Sequence, residues 1–297
     1  MVVNISHLNT ETRNTRTENL DLLTTKEIIE IMNDEDLNVV SAIKKSLPQI
    51  EALVTQTIKA YKNGGRIIYI GAGTSGRLGL MDAVEVVPTF NSDRFVGFIA
   101  GGERAFVKAV EGAEDSKELC VNDLKSIDLN SKDIVIGIAA SGRTPYVIGG
   151  LDYAKEVGCV TGCVCCNTDT EIAKHADYPV EVNAGPEVIT GSTRLKSGTC
   201  QKIILNMIST VTMIGVGKVY GNLMVDVKAT NEKLVERCRR IVMEATGCDH
   251  EKADAVLNEC DNSCKIAIVM ILLGVTKDEA IKKIEEAEGN TRLALKQ

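Results

Sequence analysis

Arg66-Ile-Ile-Tyr-Ile-Gly71-Ala-Gly73-Thr74-Ser75-Gly76-Arg77-Leu78-Gly79 is a short β-branched run that breaks into glycines and hydroxyls and then resumes as an apolar, helix-like segment. Glycine allows the backbone to turn with positive φ and to approach a ligand closely. The helix that follows would direct unpaired N–H groups and its positive end toward that ligand, and two hydroxyl groups would add donors. This pattern predicts a strand–turn–helix unit that binds an anion such as phosphate.

Downstream of this unit, short apolar runs alternate with helical stretches in a βαβ rhythm. Runs of this length that are apolar on both faces are typical of parallel strands covered by helices on both sides. The sequence therefore predicts an α/β fold with a doubly wound parallel sheet, whose ligand would bind at the carboxyl ends of the strands. The predicted strands are residues 67–70, 96–100, 134–139, 160–165 and 178–182.

Helical patterns precede and follow the sheet region. Residues 1 to about 20 are polar and aperiodic, which predicts an arm that wraps or frays. Thr24-Thr-Lys-Glu27 resembles a capping box, and residues 37–61 carry apolar side chains at helical spacing interrupted by Pro48. Residues 194–217 predict a long helix whose second half is too apolar to face water, so it packs centrally or against another subunit.

The C-terminal part of the chain shows only helical patterns. Thr276-Lys-Asp-Glu279 is a further capping box within it. We therefore expect an N-terminal arm with helices over residues 1–56, a sheet domain over 57–220 and a small all-helical domain over 221–297. The helices expected in that last domain are residues 232–245, 251–259, 265–273 and 277–287.

Composition argues against several classes of function. The 297 residues are 44% apolar and 25% charged, which suffices for a large core. A formal charge of −7 argues against nucleic acid as a partner. No apolar signal segment follows Met1 and no uninterrupted run of 18 apolar residues occurs, so neither secretion nor a membrane association is expected. Ten cysteines in such a chain suit a reducing cytoplasm, where we expect free thiols.

The first loop also satisfies the dinucleotide fingerprint, because it contains Gly71-x-Gly73-x-x-Gly76 after a strand. A nicotinamide or flavin cofactor is therefore an alternative. Two further hydroxyl-rich loops favour a small phosphosugar, since a single pyrophosphate does not need them: Ala140-Ser-Gly-Arg-Thr-Pro145 and Gly191-Ser-Thr-Arg194. No acidic residue cleanly ends the second strand to hold a ribose, although Glu103 lies just beyond Gly101-Gly102.

Two groups of acidic residues are candidates for proton transfer. Asp82 and Glu85 lie three residues apart in an apolar segment, which predicts that they share one helix face. A carboxyl group in apolar surroundings tends to have a raised pKa, which suits proton donation near neutral pH, although a solvated stripe is the alternative. Glu111, Glu114 and Asp115 occur where a loop enters a helix, and on chemistry alone they favour capping of its first turn.

The cysteines and histidines do not indicate a metal or redox site. Cys163 and Cys166 form a C-x-x-C, but strand alternation directs them to opposite faces of the sheet. His7, His175 and His250 supply neither a clustered second pair of ligands nor a catalytic triad. We interpret the cysteines as small buried apolar residues and expect no metal.

Segments spread along nearly the whole chain match a known family. They are Thr10-Glu-Thr-Arg-Asn14, Gly71-Ala-Gly-Thr-Ser-Gly-Arg-Leu-Gly79 with Asp82-Ala83 and Glu85, Lys108-Ala-Val-Glu-Gly-Ala-Glu-Asp115, Ala140-Ser-Gly-Arg-Thr-Pro-Tyr146, Gly185-Pro-Glu-Val-Ile-Thr-Gly-Ser-Thr-Arg194 and Lys218-Val-Tyr-Gly-Asn-Leu-Met-Val-Asp-Val227. In these segments the chain resembles the N-acetylmuramic acid 6-phosphate etherases, which have the sugar isomerase (SIS) fold. One departure is Ala83-Val-Glu-Val-Val-Pro-Thr-Phe90, where the family usually has Ser before the glutamate and Cys-Pro after it.

The resemblance implies cleavage of the D-lactyl ether of N-acetylmuramic acid 6-phosphate to N-acetylglucosamine 6-phosphate and D-lactate, with no cofactor. By family likeness, Glu85 donates a proton to the departing lactate and Glu114 is the second acid or base, a role that replaces the capping interpretation. The expected substrate-binding residues are Thr74, Ser75, Gly76, Ser141, Gly142 and Thr144, together with Glu187 and Ser192.

Helix geometry adds an expectation about the first glutamate. If the helix starts near Ser75 and stays regular, Glu85 lies about 15 Å further along its axis, too far to act on a small sugar held at the helix start. Either the helix breaks early or Glu85 serves a site completed by a neighbouring subunit. The apolar half of residues 194–217 independently favours a homodimer.

Two other functions fit a site for a sugar phosphate. An aldose–ketose isomerase shares proton abstraction at C2 and needs no acid for ether cleavage. A phosphosugar-sensing regulator would use the same fold for binding alone. A DNA-binding regulator is disfavoured because residues 230–297 contain 11 basic and 13 acidic residues.

Overall fold

The computed structural model describes residues 8–108, 110–229 and 231–296, so residues 1–7 of the predicted arm lie outside the described ranges. The strands are β1 (Ile67–Gly71), β2 (Phe95–Ile99), β3 (Ile134–Ala139), β4 (Val160–Cys165) and β5 (Tyr178–Glu181). The α-helices are α1 (Thr25–Lys45), α2 (Leu47–Lys62), α3 (Gly73–Phe90), α4 (Glu103–Val107), α5 (Lys117–Lys125), α6 (Pro145–Val157), α7 (Glu171–Lys174), α8 (Lys196–Gly215), α9 (Glu232–Thr246), α10 (His250–Glu259), α11 (Cys264–Leu273), α12 (Lys277–Glu286) and α13 (Thr291–Ala294).

The five strands pair in parallel in the spatial order β2-β1-β3-β4-β5, and each predicted strand is confirmed to within one residue at its ends. Strands β1 and β3 are buried along their whole length because they occupy the centre of the sheet and are covered on both faces. The chain moves outward in one direction from β1 to β2 and in the other from β3 to β5. Where strand order reverses in this way, a crevice opens at the carboxyl ends of the strands. By this rule the crevice is expected between β1 and β3.

Local signals give the ends of several helices correctly. The capping boxes predicted at Thr24 and Thr276 are both present, each with reciprocal hydrogen bonds to a glutamate three residues further on. The interruption expected at Pro48 is also confirmed, because α1 ends at Lys45 and α2 begins at Leu47. Proline is tolerated in the first turn of a helix, where its missing N–H has no partner to lose.

The chain forms two compact units. One contains the described residues up to Ala83 together with Arg94–Ile208, and it holds the sheet; the other contains Val84–Asp93 and the residues from Ser209 onward. The second unit has its own apolar core within α9–α13, which confirms the predicted C-terminal helices. The domain boundary proposed at residue 220 stays a prediction, since the compact units divide inside α3 and α8.

A buried carboxylate, that of Glu35, helps to hold the described part of the arm in place. Glu35 Oε2 accepts hydrogen bonds from Asn14 Nδ2 at 2.9 Å and from Lys196 Nζ at 2.5 Å, and its Oε1 accepts from Arg16 Nη1 at 2.8 Å. Burial opposes ionisation of this carboxyl group, but the donors outweigh burial and hold the pKa of Glu35 below its ordinary value. The arm is therefore tied to α1 and to the start of α8.

The thiols agree with the expectation of free cysteines. The cysteines of the described ranges are free, and all of these except the half-buried Cys248 are buried. None of the helices described here combines the length and apolar character needed to cross a membrane.

Candidate functional site

The loop between β1 and α3 forms a helix N-terminus at the carboxyl edge of the sheet. The helix starts at Gly73, which has a φ of +53°, and Gly76 N donates to Ala72 O at 3.1 Å. The N–H groups that precede Gly76 in the first turn have no acceptor within the helix. Together with the positive end of the helix dipole, these donors favour a phosphate at this point.

Gly76 allows α3 to pack directly on the end of β1. A Cβ atom there would lie 2.6 Å from Gly71 O and 2.8 Å from Ile99 Cγ1, so the helix start would have to shift. We expect Gly76→Ala to lower the free energy of unfolding by about 1–3 kcal/mol, the usual effect of overpacking, as measured by urea denaturation. Gly198→Ala in α8 is the matched control, because its Cβ would approach no atom closer than 3.5 Å and should be neutral or stabilising. An unchanged unfolding midpoint for Gly76→Ala would contradict this account.

A cavity of 190 Å³ at the carboxyl ends of β1 and β2 brings together two parts of the predicted site. Gly73 and Glu114 both line it, and so does Arg77, whose guanidinium is anchored on backbone carbonyl oxygens of α4. Glu114 is exposed in a single 3-10 turn, Ala113–Asp115. The next helix, α5, is capped by the side chain of Ser116, so Glu114 is not needed as its cap.

The loop after β3 lines a second cavity of 210 Å³, with Ser141 and Gly142 in its wall. Gly142 has a φ of +72°, and a Cβ atom there would lie 2.3 Å from Thr170 Cγ2, so only glycine fits. Asn167 Nδ2, just beyond β4, donates to Ser141 O at 3.4 Å and to Thr10 Oγ1 at 3.1 Å. The arm therefore helps to hold the Ser141 loop in place. Ser141 and Glu114 line different cavities.

The first half of α8 packs on the loop that follows β1. A Cβ atom on Gly198 would lie 3.5 Å from Thr74 Cγ2, an ordinary van der Waals distance, so α8 passes beside the side chain of Thr74. Further along α8, Gln201 Oε1 accepts a hydrogen bond from Ser75 Oγ at 2.9 Å, and both side chains are buried. Neither Gln201 nor Asn167 was predicted from the sequence. The available signals were an amide side chain within the apolar α8 and another directly after β4.

Three further predicted ligands lie at the starts of α6 and α8. Glu187 is fully buried and accepts hydrogen bonds from Lys196 N, Ser197 N and Ser197 Oγ at 2.8–2.9 Å, so its carboxylate caps α8. Ser192 is half-buried in the loop before α8, and Thr144 is half-buried immediately before α6. A role for these side chains in binding substrate stays a prediction.

The early break considered for the helix after the first loop is wrong, because α3 runs from Gly73 to Phe90 without interruption. No proline or glycine occurs within residues 80–87, and Val86 is buried on the inner face of the helix. Glu85 is exposed on the outer face. Its neighbours Val84 and Val87 are exposed too, Val84 by 59%. The glutamate therefore lies on an apolar surface.

Asp82 and Glu85 do not share one environment, contrary to the expectation from their spacing. Asp82 is 4% exposed and accepts hydrogen bonds from Tyr69 OH and Lys202 Nζ, each at 3.3 Å. Burial, with a contribution from Asp82, raises the pKa of Tyr69 well above its ordinary value, so the phenol remains a donor. A step of three residues falls about 60° short of a full turn, enough to direct one carboxyl group inward and the other outward.

Comparisons with known proteins agree with this architecture. The family model for the glucokinase regulatory protein N-terminal SIS domain matches residues 49–155, and the SIS domain model matches residues 122–211. The N-acetylmuramic acid 6-phosphate etherase of Exiguobacterium sp. is 57% identical over 98% of this chain and 100% of its own length. N-acetylmuramic acid 6-phosphate etherase 2 of Lactiplantibacillus plantarum is 56% identical over 99% of this chain and 100% of its own length.

A solved structure resembles the chain in fold. A putative phosphosugar isomerase involved in capsule formation, from Bacteroides fragilis, gives a TM-score of 0.50 at 19% identity, covering 64% of this chain and 89% of its own. The phosphoheptose isomerase of Neisseria gonorrhoeae gives a TM-score of 0.49 at 16% identity, covering 64% of this chain and 99% of its own. At 19% identity the likeness to the Bacteroides fragilis structure concerns the fold alone.

Proposed function

The chain belongs to the N-acetylmuramic acid 6-phosphate etherase family, and we propose on that premise that it cleaves the D-lactyl ether of N-acetylmuramic acid 6-phosphate. The products are N-acetylglucosamine 6-phosphate and D-lactate. The observation that carries this proposal is the 57% identity that extends over 98% of the chain. The cavity shared by Gly73 and Glu114 supports it, because it sets a carboxyl group beside the predicted phosphate site.

The reaction needs two positioned carboxyl groups. In the ring-opened aldehyde the C2 proton is acidic; a carboxylate removes it, the C2–C3 double bond forms, and the C3–O bond breaks. D-lactate leaves with a proton from the second carboxyl group. Water then adds at C3 and a proton returns to C2, which completes the amino-sugar product. We assign removal of the C2 proton to Glu114 and protonation of the departing lactate to Glu85.

The phosphate and the sugar hydroxyls are assigned to the loops after β1 and β3, which are neighbouring strands about 4.8 Å apart. Thr74 and Ser75 supply N–H and hydroxyl donors at the positive end of α3. Ser141 and Thr144 supply hydroxyls from the second loop, and Gly142 lets its backbone turn toward the ligand. This arrangement binds a monophosphate without a metal ion or cofactor.

Glu85 is assigned to a site that a second copy of the chain completes. Because α3 is continuous and rises about 1.5 Å per residue, a sugar phosphate held at its start does not reach the glutamate of the same helix. Exposed apolar side chains surround Glu85 on α3, and Val211 and Ile214 are exposed on the second half of α8. Apolar surface of this kind is typical of protein interfaces. We therefore propose a homodimer in which each subunit supplies Glu85 to its partner.

The free thiols support a reducing compartment for this dimer. Buried cysteines that remain unpaired are ordinary in the cytoplasm and uncommon in secreted proteins of oxidising environments. The proposed location is therefore the cytoplasm.

Release of D-lactate tests the proposed function directly. The purified chain is incubated with N-acetylmuramic acid 6-phosphate, D-lactate is measured by a coupled enzymatic assay, and the sugar product is identified by chromatography. We expect the two products in equal amounts. Absence of lactate would refute the etherase, and conversion of an aldose phosphate to a ketose phosphate instead would favour the isomerase.

A further inference from the structure

Gln201 is an amide side chain in an unusual environment. It is fully buried on α8, and its Oε1 accepts the hydrogen bond from Ser75 Oγ at 2.9 Å. Its Nε2 has no hydrogen-bond partner among residues 8–108, 110–229 and 231–296. A buried NH₂ group without an acceptor is destabilising, and such groups in native proteins are often explained by function.

The same hydrogen bond limits what Ser75 can offer to a ligand. A hydroxyl group carries one hydrogen and two lone pairs, and Ser75 uses its hydrogen on Gln201. In this arrangement its oxygen presents only lone pairs to the start of α3. Phosphate oxygens are acceptors, so they need a donor at that position.

Rotation of the terminal amide of Gln201 by half a turn would supply the missing donor at Ser75. Nε2 then occupies the place of Oε1 and donates to Ser75 Oγ, which frees the hydroxyl hydrogen to donate to an anion. The carbonyl oxygen takes the place in which the NH₂ group had no partner, so one buried amide atom of Gln201 lacks a partner in either orientation. No other side chain has to move.

We propose that Gln201 is a positioning residue for the substrate phosphate: its amide rotates when the anion binds and turns the Ser75 hydroxyl from a donor to Gln201 into a donor to phosphate. This rests on the proposed function, which places the phosphate of the sugar at the start of α3. Gln201 itself does not touch the substrate. It acts through Ser75.

A double-mutant cycle on KM and kcat tests this role. Gln201→Met keeps the side-chain volume without the amide, and we expect it to raise KM, and the inhibition constant of inorganic phosphate, about 10-fold with little change in kcat. Gln201→Glu should raise both further, because a carboxylate only accepts hydrogen bonds and repels the anion. In the Ser75→Ala background, Gln201→Met should have little further effect on KM. Asn206→Met, at an exposed position of the same helix, is the matched control.

The outcomes separate this inference from the proposed function. Equal increases in KM with and without Ser75 would show a merely structural role and overturn the proposal, as would an unchanged KM in Gln201→Met. If the native chain releases no lactate, the proposed function fails, and phosphate binding still tests Gln201.

In the native protein labelled with ¹⁵N-glutamine, the side-chain NH₂ signal of Gln201 should shift when inorganic phosphate is added. A signal that phosphate leaves unchanged would exclude the rotation.

Discussion

Glu85→Gln is expected to release D-lactate about 100-fold more slowly than the native chain, or more slowly still, because general acid catalysis commonly contributes 10²–10⁴-fold. The amide has nearly the same shape as the carboxyl group but cannot give a proton to the departing oxygen. The side chain is exposed and its substitution leaves the core untouched, so folding should be normal. Initial rates of lactate release, with circular dichroism as the test of folding, measure the effect.

Exchange of the C2 hydrogen in deuterated water separates the roles of the two glutamates. Glu85→Gln should still exchange the C2 hydrogen of the substrate while it releases little lactate, because the base that removes that hydrogen is intact. Glu114→Gln should lose both exchange and release. Glu118→Gln, an exposed acid on the neighbouring α5, is the matched control and should retain both. If Glu85→Gln lost the exchange and Glu114→Gln kept it, the two roles would be reversed: Glu85 would remove the C2 hydrogen and Glu114 would protonate the lactate.

Much of the fold follows from local pattern. The strands are predicted well because central strands of a parallel sheet are apolar on both faces, as in β1 and β3. Glycines at the first loop are informative for a related reason. Gly76 lies so close to Gly71 that no Cβ atom fits between them, and the glycine in the sequence therefore reports the close packing seen in the structure.

The contacts that organise the site do not follow from local pattern. The hydrogen bond from Ser75 to Gln201 joins residues 126 positions apart, and the one from Asn167 to Thr10 joins residues 157 apart. Neither leaves a periodic signal. The spacing of Asp82 and Glu85 was misleading because three residues do not complete a helical turn, so a partly buried helix can separate them.

Mixed dimers of Glu85→Gln and Glu114→Gln subunits are expected to recover about one quarter of native activity, although each variant alone is nearly inactive. If Glu85 acts in the partner's site, a mixed dimer has one site with both glutamates and one site with neither. Random pairing makes about half of the dimers mixed, and half of their sites work. The two variants carry different tags and are co-expressed. All dimers are purified together, without selection of the mixed ones, and lactate release is measured per subunit.

Dilution of native chains with an inactive partner tests the same geometry through a loss of activity instead of a recovery. When native chains pair at random with chains that carry both substitutions, sharing of Glu85 leaves only the native homodimers active, about one quarter of all sites, whereas sites built within one chain would leave about one half. The two experiments must agree, since both depend on whether the continuous α3 delivers Glu85 to its own subunit or to the neighbouring one. No recovery in the mixed dimers together with one-half activity on dilution would place Glu85 in the site of its own chain and refute the shared site.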